Sequence, residues 1–406
     1  MIAFNSQATD RLHRAAARCW DVLVVGAGPA GSLAARQLAR AGRTVLLVEK
    51  AVFPRYKVCG CCLNATAAAV LDRVGLGHVL SNLNARPIDR LDLAFGGRVA
   101  SLRMPTGGFS ISRGALDEAL ASEAVASGVE FLDGVQARLS RETHRERIVQ
   151  LSGASRTVEV AAKVVIAADG LRGGLLANDP DFPRIAALDS LLGIGTTLSA
   201  APAACEAGTI YMAVGDGGYV GQVRLENGGL VVAGAITRRL LADASTVEGA
   251  AGRIVEQAGL HWPVELSLLK WQGTPPLTRR LARVGGRRLF VIGDAGAYVE
   301  PFTGEGMAWA MLSGCAVVPL ANAAVDRDSP EWALRWDALH RQLLGRRMIV
   351  CRGVSRMLRS PRLTRTAVVV FDKLPWLAVP LIRSMTVPRT GWISRHTAAI
   401  PIASNL

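Results

Sequence analysis

The sequence predicts an α/β fold in which a Rossmann-type unit is interrupted by an antiparallel-sheet domain and followed by a helical C-terminal tail. Three observations predict it. Residues 21–49 run strand, glycine-rich turn, helix, strand, acid. Residues 190–273 carry strand patterns such as TIYMAV, YVGQVRL and LVVAGAI. A buried strand and glycine turn then return at 288–307, which favours one domain interrupted by another. The chain has 406 residues, half of them hydrophobic, enough for a core of that size.

The first twenty residues are polar and basic (Arg11, Arg14, Arg18) and lack the apolar stretch of a secretory leader. DVLVV (21–25) is a short buried strand. Leu33, Ala34, Leu38 and Ala41 share one face of a helix from about 30 to 41, which Gly42 stops. TVLLV (44–48) is a second buried strand ending at Glu49. A Cys- and Gly-rich loop covers 53–64, and helical spacing returns at 65–74. Alternation around Gly96-Gly97 predicts a hairpin over 88–104. A helix follows at 112–127, then a strand at 129–132, two strands within 135–160 that turn near Gly153, and a buried strand at 161–170. RLFVIGDA (288–295) is again a buried strand, and one long helix is expected from Gly304 to Ala324. The resulting division is an arm (1–20), a discontinuous cofactor domain (21–87, 105–185, 275–330), a substrate domain (88–104, 186–274) and a basic helical region (331–406).

Seven cysteines, an odd number without a disulfide-like framework, fit a reducing, cytoplasmic compartment. Three of them crowd into Cys59-Gly-Cys61-Cys62. With no partner His and no second C-x-x-C, that is a poor zinc site, and no metal is expected. Charge is concentrated at the end of the chain. Residues 341–406 hold twelve Lys or Arg and one acid, Asp372, a net +11 of the chain's +14.

Chemistry enters with Gly26-x-Gly28-x-x-Gly31, between a strand and a helix. Gly26 permits the tight turn, Gly28 lets a pyrophosphate approach the backbone, and Gly31 lets the helix pack on the sheet. The helix N-terminus offers free N–H groups to phosphates. Glu49 can accept hydrogen bonds from both ribose hydroxyls. It disfavours a 2′-phosphate there, so the site suits FAD or NAD rather than NADP.

Val291-Ile-Gly-Asp-Ala-Gly-Ala-Tyr298 and Pro301-Phe-Thr-Gly-Glu-Gly-Met307 separate FAD from NAD. Asp294 sits where a carboxylate can bind ribityl hydroxyls. A helix opening at Gly304, Gly306 and Met307 can stabilise negative charge on the N1–O2 edge of a reduced flavin. No second G-x-G-x-x-G follows, so a reductant, NAD(P)H or another electron donor, visits transiently. Hydrolase elbows and Walker loops are absent from the sequence.

These motifs resemble the aromatic hydroxylase superfamily of flavoproteins and, within it, the geranylgeranyl reductase family. The resemblance covers about residues 21 to 314. It is carried by VVGAGPAGSLAARQLARAG with VEK, by Phe53-Pro-Arg-Tyr-Lys-Val-Cys-Gly60, by Arg113 with Asp117 and Leu120, by Ala168-Asp169-Gly170 and by PFTGEGMAWAMLSG. It implies that Arg113 and Asp294 contact FAD along its ribityl and phosphate region, and that Asp169 supports the cofactor domain. Lys50 and Arg55 join the cofactor-binding set. It places Cys59 near the flavin face, as a catalytic thiol or an inert packed one; Lys57 and Arg55 nearby could lower its pKa. The family's Y-x-W-x-F-P motif is missing, and Gly218-Tyr-Val-Gly-Gln-Val-Arg224 stands there with smaller residues that leave room for a different, bulkier apolar substrate.

Two reactions follow from the resemblance: reduction of a C=C bond in an isoprenoid or related lipid, or NAD(P)H-dependent hydroxylation of an aromatic or polyketide product. For the tail the sequence leaves two readings, a helical lid on the core or a helix in the interface of an anionic membrane with Trp376 at headgroup level. Its arginines alternate with aliphatic residues rather than exposed aromatics, so no nucleic acid is expected. No oligomeric state is read from the sequence.

Overall fold

The computed structural model describes residues 8–153, 156–260, 269–300, 302 and 304–386. Val22 to Val25 offer no polar face, so the strand they form must be covered on both sides. It runs from Cys19 to Val25 at the centre of a sheet, parallel to Val45–Val48 on one side and Arg156–Ala167 on the other. Glu130–Leu132 and Leu289–Val291 extend the sheet outward, also parallel. Val22, Leu23 and Val24 are wholly buried, each worth roughly 1.5–3 kcal/mol relative to exposure. Within the first twenty residues, Ala8–Ala16 is a helix that buries Leu12 and Ala15 in this core.

The helix Pro29–Arg40 begins with proline in its first turn, where the missing N–H costs nothing. It packs against Arg113–Ala126 and Gly306–Ala316. Glycine makes the approach feasible, since a Cβ on Gly314 would stand 2.4 Å from the Ala30 carbonyl oxygen. The single helix expected at 304–324 is two, Gly306–Ala316 and Val318–Asp326. Pro319 lacks an N–H and sits in the first turn of the second. This stretch is apolar enough to cross a membrane, yet its most apolar window is 78% buried inside the protein.

A second sheet follows the order Gln272–Pro276, Leu192–Leu198, Leu230–Ile236, Gly218–Arg224, Thr209–Gly215, Arg86–Phe95, Arg98–Ser110, Cys62–Leu63. It is antiparallel except between Thr209–Gly215 and Arg86–Phe95, which run parallel. The hairpin is longer than 88–104, and its end pairs with the cysteine loop at Leu63–Phe109. Two helices, Arg238–Ala244 and Val247–Gln257, cover the back of this sheet; Thr237 and Thr246 cap them by accepting from the Leu240 and Gly249 N–H groups. Between 135 and 167 the three expected strands are Gln136–Glu142, Arg147–Gly153 and Arg156–Ala167, the last continuous from the turn after Gly153 rather than starting at 161.

The tail packs on the core. Glu331–Leu358 buries Trp336, Leu343, Leu344 and Met348, and Gly285 gives it room: a Cβ there would lie 2.2 Å from the Ala333 carbonyl oxygen. Pro361–Lys373 and Val379–Thr386 pack on Arg98–Ser110. Arg389 and Arg395 of the basic stretch lie outside the described residues.

Candidate functional site

Gly26 ends the central strand at φ +106°, and a Cβ there would meet the Ala168 carbonyl oxygen at 2.3 Å. Only glycine fits. A Cβ on Gly31 would lie 1.9 Å from the Gly26 carbonyl oxygen. Gly28 precedes the helix and offers no side chain to its first N–H groups, so those donors remain for a ligand.

Two guanidiniums face Gly28. A Cβ on it would be 3.6 Å from Arg55 Nη2 and 3.7 Å from Arg113 Nη2. Both are held by the fully buried Asp117: Arg113 donates through Nε at 3.0 Å and Nη2 at 2.7 Å, and Arg55 Nη2 lies 3.1 Å from Oδ2. Burial alone would lower the pKa of Arg113; the charge of Asp117 outweighs it and pushes the pKa up. The buried Nε of Arg55 has no hydrogen-bond partner among the described residues. Glu49 accepts from the Ala27 N–H at 3.0 Å and the Ala51 N–H at 3.1 Å, and lies 3.6 Å from Arg55. A carboxylate so held keeps lone pairs for ribose hydroxyls. Free helix N–H groups, an unused arginine donor and a fixed acid fit a ribose–diphosphate.

At the other end, Gly293 turns at φ +61° and its N–H donates to Ser313 Oγ at 2.9 Å. This aims Asp294 into the cavity, where Lys57 Nζ lies 3.3 Å from Oδ2. Gly304 turns at φ +67°, and Gly306 and Met307 open the following helix. A Cβ on Gly306 would press to 3.2 Å from the Tyr298 ring. Burial raises the pKa of Glu305, and Arg347, reaching from the tail at 2.9 Å, opposes that rise.

The cysteine loop lies between these ends. A hydrogen bond from the Cys61 thiol and the charge of Arg113 overcome burial and bring the Cys59 thiol down to about 6. Asp169 accepts from the Leu175 N–H at 2.7 Å, and burial raises its pKa.

One continuous cavity of about 530 Å³ joins all of this. Ten of the twelve site residues read from the sequence line it, all but Gly26 and Gly31, which set the backbone behind it. Across its floor, Ala233, Gly221 and Met212 stand side by side on neighbouring strands. The room expected over Gly221 is partly filled, because Met212 Cε would lie 2.8 Å from a Cβ there. Leu91, Met104 and Ile382 form the apolar far end. Sequence reading missed Asp117 as the anchor of both arginines, Lys57 as the partner of Asp294, and Arg347. The Arg113–Asp117 spacing of four on a helix was the one available signal.

Fold and site together define an FAD-dependent oxidoreductase. Residues 19–181 match the model of an FAD binding domain. The menaquinone reductase of Mycobacterium tuberculosis is 31% identical over 85% of this chain and 86% of its own. Digeranylgeranylglycerophospholipid reductase 1 of Methanopyrus kandleri is 30% identical over 76% and 82%. The chain belongs to the geranylgeranyl reductase family. A flavin-dependent brominase, 16% identical over 94% of this chain and 98% of its own, shares the fold at a TM-score of 0.72. A flavoprotein/dehydrogenase of Cytophaga hutchinsonii, 18% identical over 93% and 99%, does so at 0.69.

Proposed function

We propose that this enzyme reduces a carbon–carbon double bond in a prenylated lipid of the menaquinone or geranylgeranyl class. The observation that carries the reading is the single cavity running from Gly28 and Glu49, past Cys59 and Asp294, to the apolar wall of Leu91, Met104 and Ile382. Such a shape suits one end holding a cofactor and the other an apolar chain. The names of the two relatives above support the lipid class.

Bound FAD supplies the two-electron chemistry. The Gly26–Gly31 turn, Arg55 and Arg113 hold its diphosphate, and Glu49 its adenosine ribose, with Lys50 at the rim. Asp294 takes the ribityl hydroxyls and Lys57 keeps that carboxylate oriented. The N–H groups near Gly304, Gly306 and Met307 stabilise negative charge at the ring edge. Met212 and the small residues of the floor seat the alkene and exclude water. Cys59, a thiolate at neutral pH, suits a charge-bearing or redox role better than that of proton donor.

The lipid reaches the cavity from a membrane surface on the cytoplasmic side. Leu374, Trp376 and Leu377 are exposed beside Lys373, and Ala378 and Ile382 just beyond them pack against Leu91 and Met104 at the cavity's apolar end. Arg362, Arg365 and Arg383 are exposed on the flanking helices. Apolar tips ringed by cations match an anionic bilayer.

The test is anaerobic turnover of the FAD-loaded enzyme, chemically reduced, with menaquinone or a geranylgeranyl lipid. A product heavier by two hydrogens supports the reading. Turnover that strictly requires oxygen would replace it with hydroxylation.

A further inference from the structure

Three thiols crowd one wall of the cavity, and the lipid reaction uses at most Cys59. Cys61 stands in the left-handed region at φ +53°, uncommon for a residue with a side chain. That turn folds it back over its neighbour: its N–H lies 3.3 Å from Cys59 Sγ, and both cysteines line the same cavity. Cys62 turns away, its thiol 3.2 Å from the Gly60 carbonyl oxygen.

The pair is also asymmetric in charge. Cys59 is brought down to about 6, whereas the hydrogen bond to Cys59, then burial, holds Cys61 well above its ordinary value. Burial pushes Cys62 up to about 12. At neutral pH one thiolate therefore faces one thiol, as in an attacking and a resolving cysteine. Position completes the case. Cys59 feels the charge of Arg113 at the diphosphate end and contributes to the raised pKa of the Tyr298 hydroxyl beside Gly306. Both cysteines line the cavity that Arg113 lines at the diphosphate end and Tyr298 and Gly306 line at the ring end.

We propose that Cys59 and Cys61 form a redox-active dithiol that passes electrons to the bound flavin, so that a small dithiol or a dithiol protein can serve as electron donor. This rests on FAD binding and not on which lipid is reduced. The Cys59 thiolate and the Cys61 thiol together lose two electrons and one proton as a Sγ–Sγ bond forms; oxidised FAD takes up both electrons and the proton. An external dithiol then opens that bond by exchange, is itself oxidised to a disulfide, releases one proton to water, and restores the thiolate and the thiol.

The experiment uses the full-length, FAD-loaded protein under argon. Dithiothreitol is added and loss of flavin colour is followed; samples are then quenched in acid, alkylated and digested. Bleaching together with a Cys59–Cys61 link in the partly bleached samples is the expected result. C61S should bleach about tenfold more slowly or worse, with C62S retaining the link. C61S bleaching at the unmutated rate overturns the proposal, as does a link through Cys62 or no link at all. If C61S fails to hold FAD, the link in the unmutated chain decides. Neither readout involves lipid turnover, so failure here leaves the substrate reading standing, and the reverse.

Discussion

Two residues show how far chemistry depends on burial. Asp117 has no exposed surface and carries two arginines, so removing Arg113 takes away its two charge-assisted hydrogen bonds and leaves the buried carboxylate to Arg55 alone. Arg113→Ala should lower unfolding stability by about 1.5–3 kcal/mol, read by urea denaturation, and weaken FAD binding in a fluorescence titration. Unchanged FAD affinity would remove Arg113 from the cofactor site. Cys59 makes a pH prediction. With its thiol brought down from the ordinary 9.0 to about 6, its contribution to stability is present above pH 9 and is lost as pH falls through 6. Alkylation of Cys59 by iodoacetamide should accordingly show a midpoint near 6, and one near 9 would contradict the lowered thiol. The crowding of Cys59, Cys61 and Cys62 was visible in the sequence, although the C-x-x-C from Cys59 to Cys62 was overlooked. What pairs Cys59 with Cys61 instead is a positive φ, which residue types alone do not announce.

At the level of elements, legibility followed periodicity. The strand–turn–helix–strand from Cys19 to Val48 was plain because its apolar run and glycine spacing admit few alternatives. The helices Arg238–Ala244 and Val247–Gln257 were overlooked although Thr237 and Thr246 are ordinary cap residues; their short apolar faces were absorbed into the neighbouring strand patterns. Pro319 marked the break between Gly306–Ala316 and Val318–Asp326, but continuous hydrophobicity masked it. The helix Glu331–Leu358 supplies a test of its own. His340 is buried against Trp336, its Nε2 has no partner among the described residues, and burial lowers its pKa from 6.5 to about 4. The unfolded chain therefore binds the extra proton first, and stability falls as pH drops from 6.5 towards 4. His340→Leu should remove that segment of the stability–pH curve, measured as the difference from the unmutated protein. Parallel curves would mean that the ring is not neutral in the fold.

For the whole molecule, the question is how the proposed apolar substrate would reach the cavity that suits the cofactor. The uneven charge of the sequence pointed to the tail, and in the structure its helices pack on the core while Leu374–Leu377 stays exposed, where the proposed membrane contact would form. Sequence could not decide this, because an amphipathic helix looks the same whether its apolar side meets protein or lipid. Flotation with phosphatidylglycerol vesicles should carry the protein upward, and phosphatidylcholine alone should not. Trp376→Ser should weaken the association. So should salt above roughly 0.15 M, where charges are screened beyond about 8 Å. Equal binding to both lipids would reduce the basic flank to a solubility feature.

The reach of Arg347 to Glu305 means that the last third of the chain does more than shelter the rest. Glu305 lies within the turn assigned to the flavin ring, between Gly304 and Gly306, and is almost wholly out of water. In a protein trimmed ahead of Arg347 that carboxyl would lose its cation, and burial would push its pKa further up. Trimming would thus alter the electrical setting of the ring from a distance. The redox midpoint of such a fragment could not stand in for that of the intact enzyme.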